Sequence, residues 1–217
     1  MQSPDTVIYH GQFGEFTITE SDRQEVRIYR SGLTVAALSF LLGTGLFLWQ
    51  GATPFVLNAL TVLFASFALG LGIALLTIHI YLVPLHRLLQ VFWIIGTVFS
   101  TAIAFSAPTP LALFIYNHPP LLLGTGFLFA SLTGIYFKEA FCFNRLETKI
   151  LTPLIPILLL GFMAGILSPE IQKILLASWS ILFFIFALRK AFQDIPDDIG
   201  DKSVFAYLKN RQKQQEI

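Results

Sequence analysis

The fold class predicted is all-α, a polytopic transmembrane helical bundle of about six spans with both termini cytoplasmic, and three observations predict it. Of the 217 residues, 55% are hydrophobic and 12% charged, about half the roughly 25% charge of a soluble domain. Six stretches approach the ~20 apolar residues needed to cross a ~30 Å hydrocarbon core. With the N-terminus placed inside, thirteen of the fourteen Lys and Arg fall on the inner side and only Lys173 falls outside. A bias of that kind orients membrane proteins.

The chain divides into a cytoplasmic N-terminal segment with a juxtamembrane helix (1–32), a six-span domain (33–190) and a cytoplasmic C-terminal tail (191–217). The opening MQSPDTVIYHGQFGEF lacks the basic-then-apolar order of a signal peptide, so the first span is expected to act as its own insertion signal. Val7–Thr19 alternates in a strand-like way interrupted by Gly11 and Gly14, which predicts a short hairpin. Ser21 followed by Gln24 reads as a capping box, and the helix it opens runs through Val26 and Tyr29 into the first span.

The spans are Leu33–Trp49, Phe55–Ile78, Leu88–Phe105, Leu121–Phe137, Leu151–Leu167 and Ile171–Leu188, all free of acids. Thr109–Asn117 is too short to cross as a helix and reads as an outer, interfacial or re-entrant loop. Pro153 and Pro156 fall in the expected first turns of the fifth span, where missing amide hydrogens cost least. At the C-terminal side, Asp194, Asp197, Asp198 and Asp201 surround Pro196 and Gly200 without the spacing or closing glutamate of a calcium loop. A solvated turn followed by a short polar helix from Ser203 is expected there.

Small residues that allow close approach suggest where the spans pack. Gly161-x-x-x-Gly165 marks the fifth span, and Gly126, Ala130 and Gly134 form a four-residue repeat on the fourth. LLGTG occurs twice, at Leu41–Gly45 and Leu122–Gly126. With three spans per half, the two copies would run in opposite directions, as in transporters built from inverted repeats. Chance in a Leu- and Gly-rich chain competes with that reading.

Candidate chemistry is sparse. A net charge of +1 without a basic stripe gives no sign of nucleic-acid binding, and a single cysteine excludes a disulfide within the chain and any Cys-based metal framework. His79 and His86 are the candidate ligands for haem, chlorophyll or a metal ion, since neutral imidazole suits all three. No carboxylate or cysteine lies beside them in sequence, so interface histidines bonded to backbone or headgroups are the preferred reading. No cofactor or metal is predicted, with haem or chlorophyll still compatible. The absence of acids within the spans weighs against a proton relay, and no nucleophile motif, phosphate loop or HExxH occurs.

FKEAFCFNRLETK, residues 137–149, holds the remaining chemistry. Lys138 and Cys142 are one helical turn apart, a spacing that lowers a thiol pKa when the lysine is close. A cysteine between Phe141 and Phe143 is more often an apolar-packed thiol. Glu139, Arg145 and Glu147 are expected to form an ion-pair cluster at the inner mouth of the bundle, with basic side chains reaching to headgroups. Together Lys138, Glu139, Cys142, Arg145 and Glu147 make an inner-loop contact surface and a poor catalytic site.

The run GIYFKEAFCFNRLE, Gly134–Glu147, is followed by LTPLIP at Leu151–Pro156, and Ser21-Asp22-Arg23 and Tyr29-Arg30-Ser31-Gly32 precede the first span. These residues resemble an uncharacterised integral membrane protein family of cyanobacteria and plastids, domain of unknown function 2301. The resemblance covers roughly residues 20–190. It implies a plasma or thylakoid membrane location and carries no activity or site residues. The expected role is a non-enzymatic assembly, scaffold or accessory subunit of a membrane complex in a photosynthetic bacterium. Its partners would be the bilayer and that complex, and the alternative is a small-solute transporter or channel of two inverted three-helix repeats.

Overall fold

Thr19 sets the start of the first helix. Its side chain accepts from the Asp22 amide at 3.2 Å while Asp22 accepts from the Thr19 amide at 2.7 Å. That reciprocal pair satisfies two orphan amides and displaces the box expected at Ser21 and Gln24 by two residues. The computed structural model describes residues 7–204 and 207–208. The polar helix expected from Ser203 lies largely outside the described residues.

From Thr19 the chain forms α1 (Glu20–Gln50), α2 (Pro54–Thr77), α3 (Val83–Ser106), α4 (Leu111–Asn117), α5 (Leu122–Phe143), α6 (Leu146–Met163), α7 (Pro169–Ala191) and α8 (Ile195–Ile199). Six of these are long and apolar enough to cross a membrane. They alternate in direction, so the α2–α3 and α5–α6 loops share one end with the start of α1 and the finish of α7. The other end carries the α1–α2 and α6–α7 connections and α4. A two-stranded hairpin, β1 (Ile8–Gly11) and β2 (Gly14–Thr17), precedes α1 in antiparallel register, as its alternation predicts. It docks on the C-terminal segment, with the Gln12 amide donating to Asp201 Oδ2 at 2.6 Å and Lys202 Nζ donating to the Thr17 carbonyl at 3.2 Å, while the same amine pairs with Asp22 of α1 at 2.7 Å. The first and last described segments therefore meet at one end of the bundle, as an even number of spans requires.

Aliphatic side chains of α1, α2, α5, α6 and α7, including Leu33, Leu71, Leu132 and Leu158, pack in the core with aromatic rings. Phe40, Phe129 and Trp179 pack at its centre, with the Trp179 ring tilted against Phe40 at 4.4 Å and edge-on to Phe129 at 5.2 Å. Val62, Leu69, Leu76 and Val98 point outward, the arrangement expected where lipid replaces water as solvent.

The close approach between helices differs from the expected one. Gly32 on α1 and Gly70 on α2 face each other so tightly that a Cβ on either would sit 2.7 Å from the other's carbonyl oxygen. Gly134 does pack, against Leu89, but Gly126 faces open space and Ala130 is exposed. Gly161-x-x-x-Gly165 is not a helix-crossing motif here. Gly165 has φ +68° just past the end of α6, its amide bonds Phe162 O and the Ile166 amide bonds Gly161 O. That hydrogen-bond pattern is a helix terminator, which glycine favours because it lacks a Cβ. The missing Cβ of Gly161 leaves room for Leu167.

Pro153 and Pro156 are interior, because α6 begins at Leu146 rather than near Leu151. They leave the carbonyls of Lys149 and Thr152 without the usual amide partners. Thr109–Asn117 includes a seven-residue helix, α4, with Leu111 buried.

Candidate functional site

The expected inner loop is built by three helix ends. α5 continues to Phe143 and stops at Asn144, which adopts φ 53° and ψ 34°. Asparagine is among the few non-glycine residues that take that left-handed state readily. Arg145 then occupies the N-cap position of α6 without a side-chain capping bond, and Glu147 lies in the first turn, where a carboxylate suits the positive helix end. α7 delivers Arg189 and Lys190 in its last turn, and α8 returns Asp198 beneath them.

Lys190 sits fully buried at the centre. Its Nζ lies 2.7 Å from Glu139 Oε2, hydrogen-bonds Asp198 Oδ1, and approaches Gln193 Oε1 at 3.3 Å. The other Asp198 oxygen accepts from Arg30 Nε at 2.8 Å, and the other Glu139 oxygen accepts from Lys138 Nζ at 2.8 Å. Charges thus alternate from Arg30 through Asp198, Lys190 and Glu139 to Lys138. Tyr29 donates weakly to Glu139 at 3.5 Å. The Phe143 ring receives three cations: Lys190 at 4.1 Å, Arg145 at 5.3 Å and Lys138 at 5.4 Å from its centroid.

The expected cluster of Glu139, Arg145 and Glu147 is divided among different partners. Glu139 pairs with the two lysines, Arg145 Nη2 donates to Gln193 Oε1 at 2.6 Å, and Glu147 pairs with Arg189 at 3.1 Å. All three are tied to α7 or the residues after it, because α7 runs beside α6 and finishes at the same end. Cys142 is exposed. Of the four aspartates, Asp194 and Asp197 are exposed, as a solvated turn would have them, and Asp198 alone is buried. Asp198 is 5% exposed and doubly paired, since two buried cations require an acid between them.

Lys190, Arg30, Asp198 and Gln193 are the network residues that sequence reasoning missed. Their signal was weak: acids and bases crowd the same end in sequence, but nothing in spacing says which ones meet.

The α2–α3 loop closes the site from the side. Tyr81 donates to Ile199 O at 2.9 Å, and burial, followed by the charges of Asp201 and Cys142, pushes its phenol up to about 12. It stays a neutral donor throughout the physiological range. His79 lies 3.4 Å from Glu25, yet burial outweighs that carboxylate and lowers its pKa. His86 Nε2 bonds the Leu75 carbonyl at 2.6 Å, and Gln90 joins it there. The two side chains cap or pair locally and share no partner. Among the described residues, no three of His, Cys, Asp or Glu gather as a metal site.

Chemically, the network is a clamp. Lys190 and Glu139 have no exposed surface. What they do is join α1, α5, α7 and α8 where the first and last described segments converge.

The LLGTG copies occupy different surroundings. A Cβ on Gly43 would meet Leu60 and Leu63 of the following helix, whereas one on Gly124 would meet Phe99 of the preceding span.

A family model described as an uncharacterized integral membrane protein matches residues 73–207. That range contains the whole network except Tyr29 and Arg30. No curated protein matches the chain, and no solved structure does.

Proposed function

Since the chain belongs to that integral membrane protein family, DUF2301, we propose that it serves as a non-enzymatic assembly, scaffold or accessory subunit of a larger membrane complex. In this reading its termini face the cytoplasm and it resides in the plasma or thylakoid membrane of a photosynthetic bacterium. One observation carries the proposal. The end where α1 begins and α7 finishes is locked by buried ion pairs, while large apolar side chains stand exposed around it. Phe141 and Phe192 are 84% and 82% exposed, with Phe137 and Leu146 beside them in sequence. Exposed apolar patches of this kind mark protein or membrane contact sites.

The transporter alternative draws no comparable support. Its two LLGTG segments meet non-equivalent neighbours, and the cavity between α1, α2, α4, α5 and α7 has a mostly apolar lining.

The test is extraction from native membranes in mild detergent, followed by native electrophoresis and by crosslinking through Cys142. Co-migration with a larger complex is expected, reduced when Phe141 and Phe192 are both changed to Ser. A monomeric band with no Cys142 adduct would end this reading.

A further inference from the structure

A cavity of about 290 Å³ lies between α1, α2, α4, α5 and α7, in the half of the bundle away from the ion network. Its walls are mainly apolar and include the rings of Phe40, Phe64 and Phe129; no ionisable side chain lines it. An apolar cavity of about 150 Å³ stays dry and accepts one benzene, so this one has room for about two fused rings.

Its hydroxyls are arranged unusually. A serine or threonine inside a helix commonly returns its proton to the carbonyl one turn back, as Thr34, Thr61 and Thr133 do. Ser39 and Thr44 do not. Each is only 7% exposed, each lines the cavity, and neither has a hydrogen-bond partner among the described residues. Thr125, on the facing helix, is already paired with Ser100 at 3.2 Å, because the Ser100 proton goes to the Gly96 carbonyl at 2.7 Å. Unpaired hydroxyls are costly at this depth, where no bulk water can satisfy them.

We propose that this cavity binds a membrane-dissolved compound of about two fused rings carrying two carbonyl oxygens on opposite sides of a ring. The rings lie among the phenylalanines, and one oxygen accepts from Ser39 and the other from Thr44, which are five residues apart on α1 and so separated by more than one helical turn. An acyl chain would fill the same space but leave both hydroxyls unpaired. A charged solute finds no counter-ion there. The proposal is independent of the assembly role.

The full chain in nanodiscs, titrated with 2-methyl-1,4-naphthoquinone by equilibrium dialysis, tests it, with 2-methylnaphthalene as the oxygen-free control. Saturable binding of one quinone per chain is expected. Ser39→Ala with Thr44→Val should weaken it about tenfold, the effect of two ordinary hydrogen bonds, and should leave the hydrocarbon unchanged. Ala112→Phe, which fills the cavity from α4, should abolish both. Monodisperse elution of each variant confirms that it folds. Absent saturation, equal quinone affinity in wild type and the hydroxyl double variant, or binding that survives Ala112→Phe would each overturn the assignment.

Discussion

Lys190 is a long, rotamer-rich side chain held with no exposed surface between Glu139 and Asp198. Burying an ammonium and two carboxylates costs several kcal/mol per ion, and close pairing roughly offsets that cost. The network therefore adds little net stability over a well-packed apolar core, but it is intolerant of losing one member. Lys190→Met leaves two acids facing each other without the cation between them. It should destabilise the protein by roughly 3–5 kcal/mol, read as the loss of folded material on heating in detergent. Arg27→Ala breaks an exposed pair with Glu20 at 3.1 Å and should change stability by no more than about 1 kcal/mol. Equal effects from the two substitutions would remove the distinction between buried clamp and surface pair. None of this could be read from the chain alone. In sequence Lys190 is one of thirteen bases on the inner side, and its partners lie 51 positions upstream and 8 downstream.

At the scale of elements, the same contrast separates what a pattern can predict from what it cannot. All six spans were legible because hydrocarbon depth imposes a length of apolar residues that little else in a chain imitates. Their ends were not. α5 runs six residues past Phe137 and α6 starts five before Leu151, because helical hydrogen bonding continues through charged residues that an apolar count rejects. Glycine spacing was the poorest guide, since one residue type serves helix crossings, helix stops and open grooves alike. Gly32 and Gly126 make that difference measurable. Gly32→Ala places a methyl group against the Gly70 carbonyl and should cost about 1–3 kcal/mol, the usual penalty of overpacking. Gly126→Ala meets nothing and should be neutral or slightly stabilising through helix propensity. The hairpin supplies a pH test. Hydrogen bonds from Ser203 and from the Gln12 amide hold the Asp201 carboxyl below its ordinary value. Its contribution is therefore complete above about pH 4, where the unfolded carboxyl is already ionised. It is lost as pH falls through the lowered folded value. Protection of the Gln12 amide from hydrogen exchange should persist to about pH 4 and fall below it. Asp201→Asn should reduce that protection at neutral pH.

For the whole molecule, the helix bundle and the charge distribution address different questions. Packing brings the hairpin, the α2–α3 and α5–α6 loops and α8 to one end, a statement about proximity that requires no membrane. The excess of Lys and Arg at that end is the ground for proposing that it faces the cytoplasm, because basic loops resist translocation. Cys142 can decide it, being the protein's only cysteine and exposed at the basic end. A membrane-impermeant maleimide should label it in inverted vesicles and fail to do so in right-side-out ones. A cysteine placed at Ser168, in the loop before α7 at the opposite end, should give the reverse pattern in a Cys142→Ser background. If Cys142 reacts from the outside, the bundle is inserted the other way up. The bases would then need an explanation other than orientation, and a partner on the cytoplasmic side could no longer be sought at the network end.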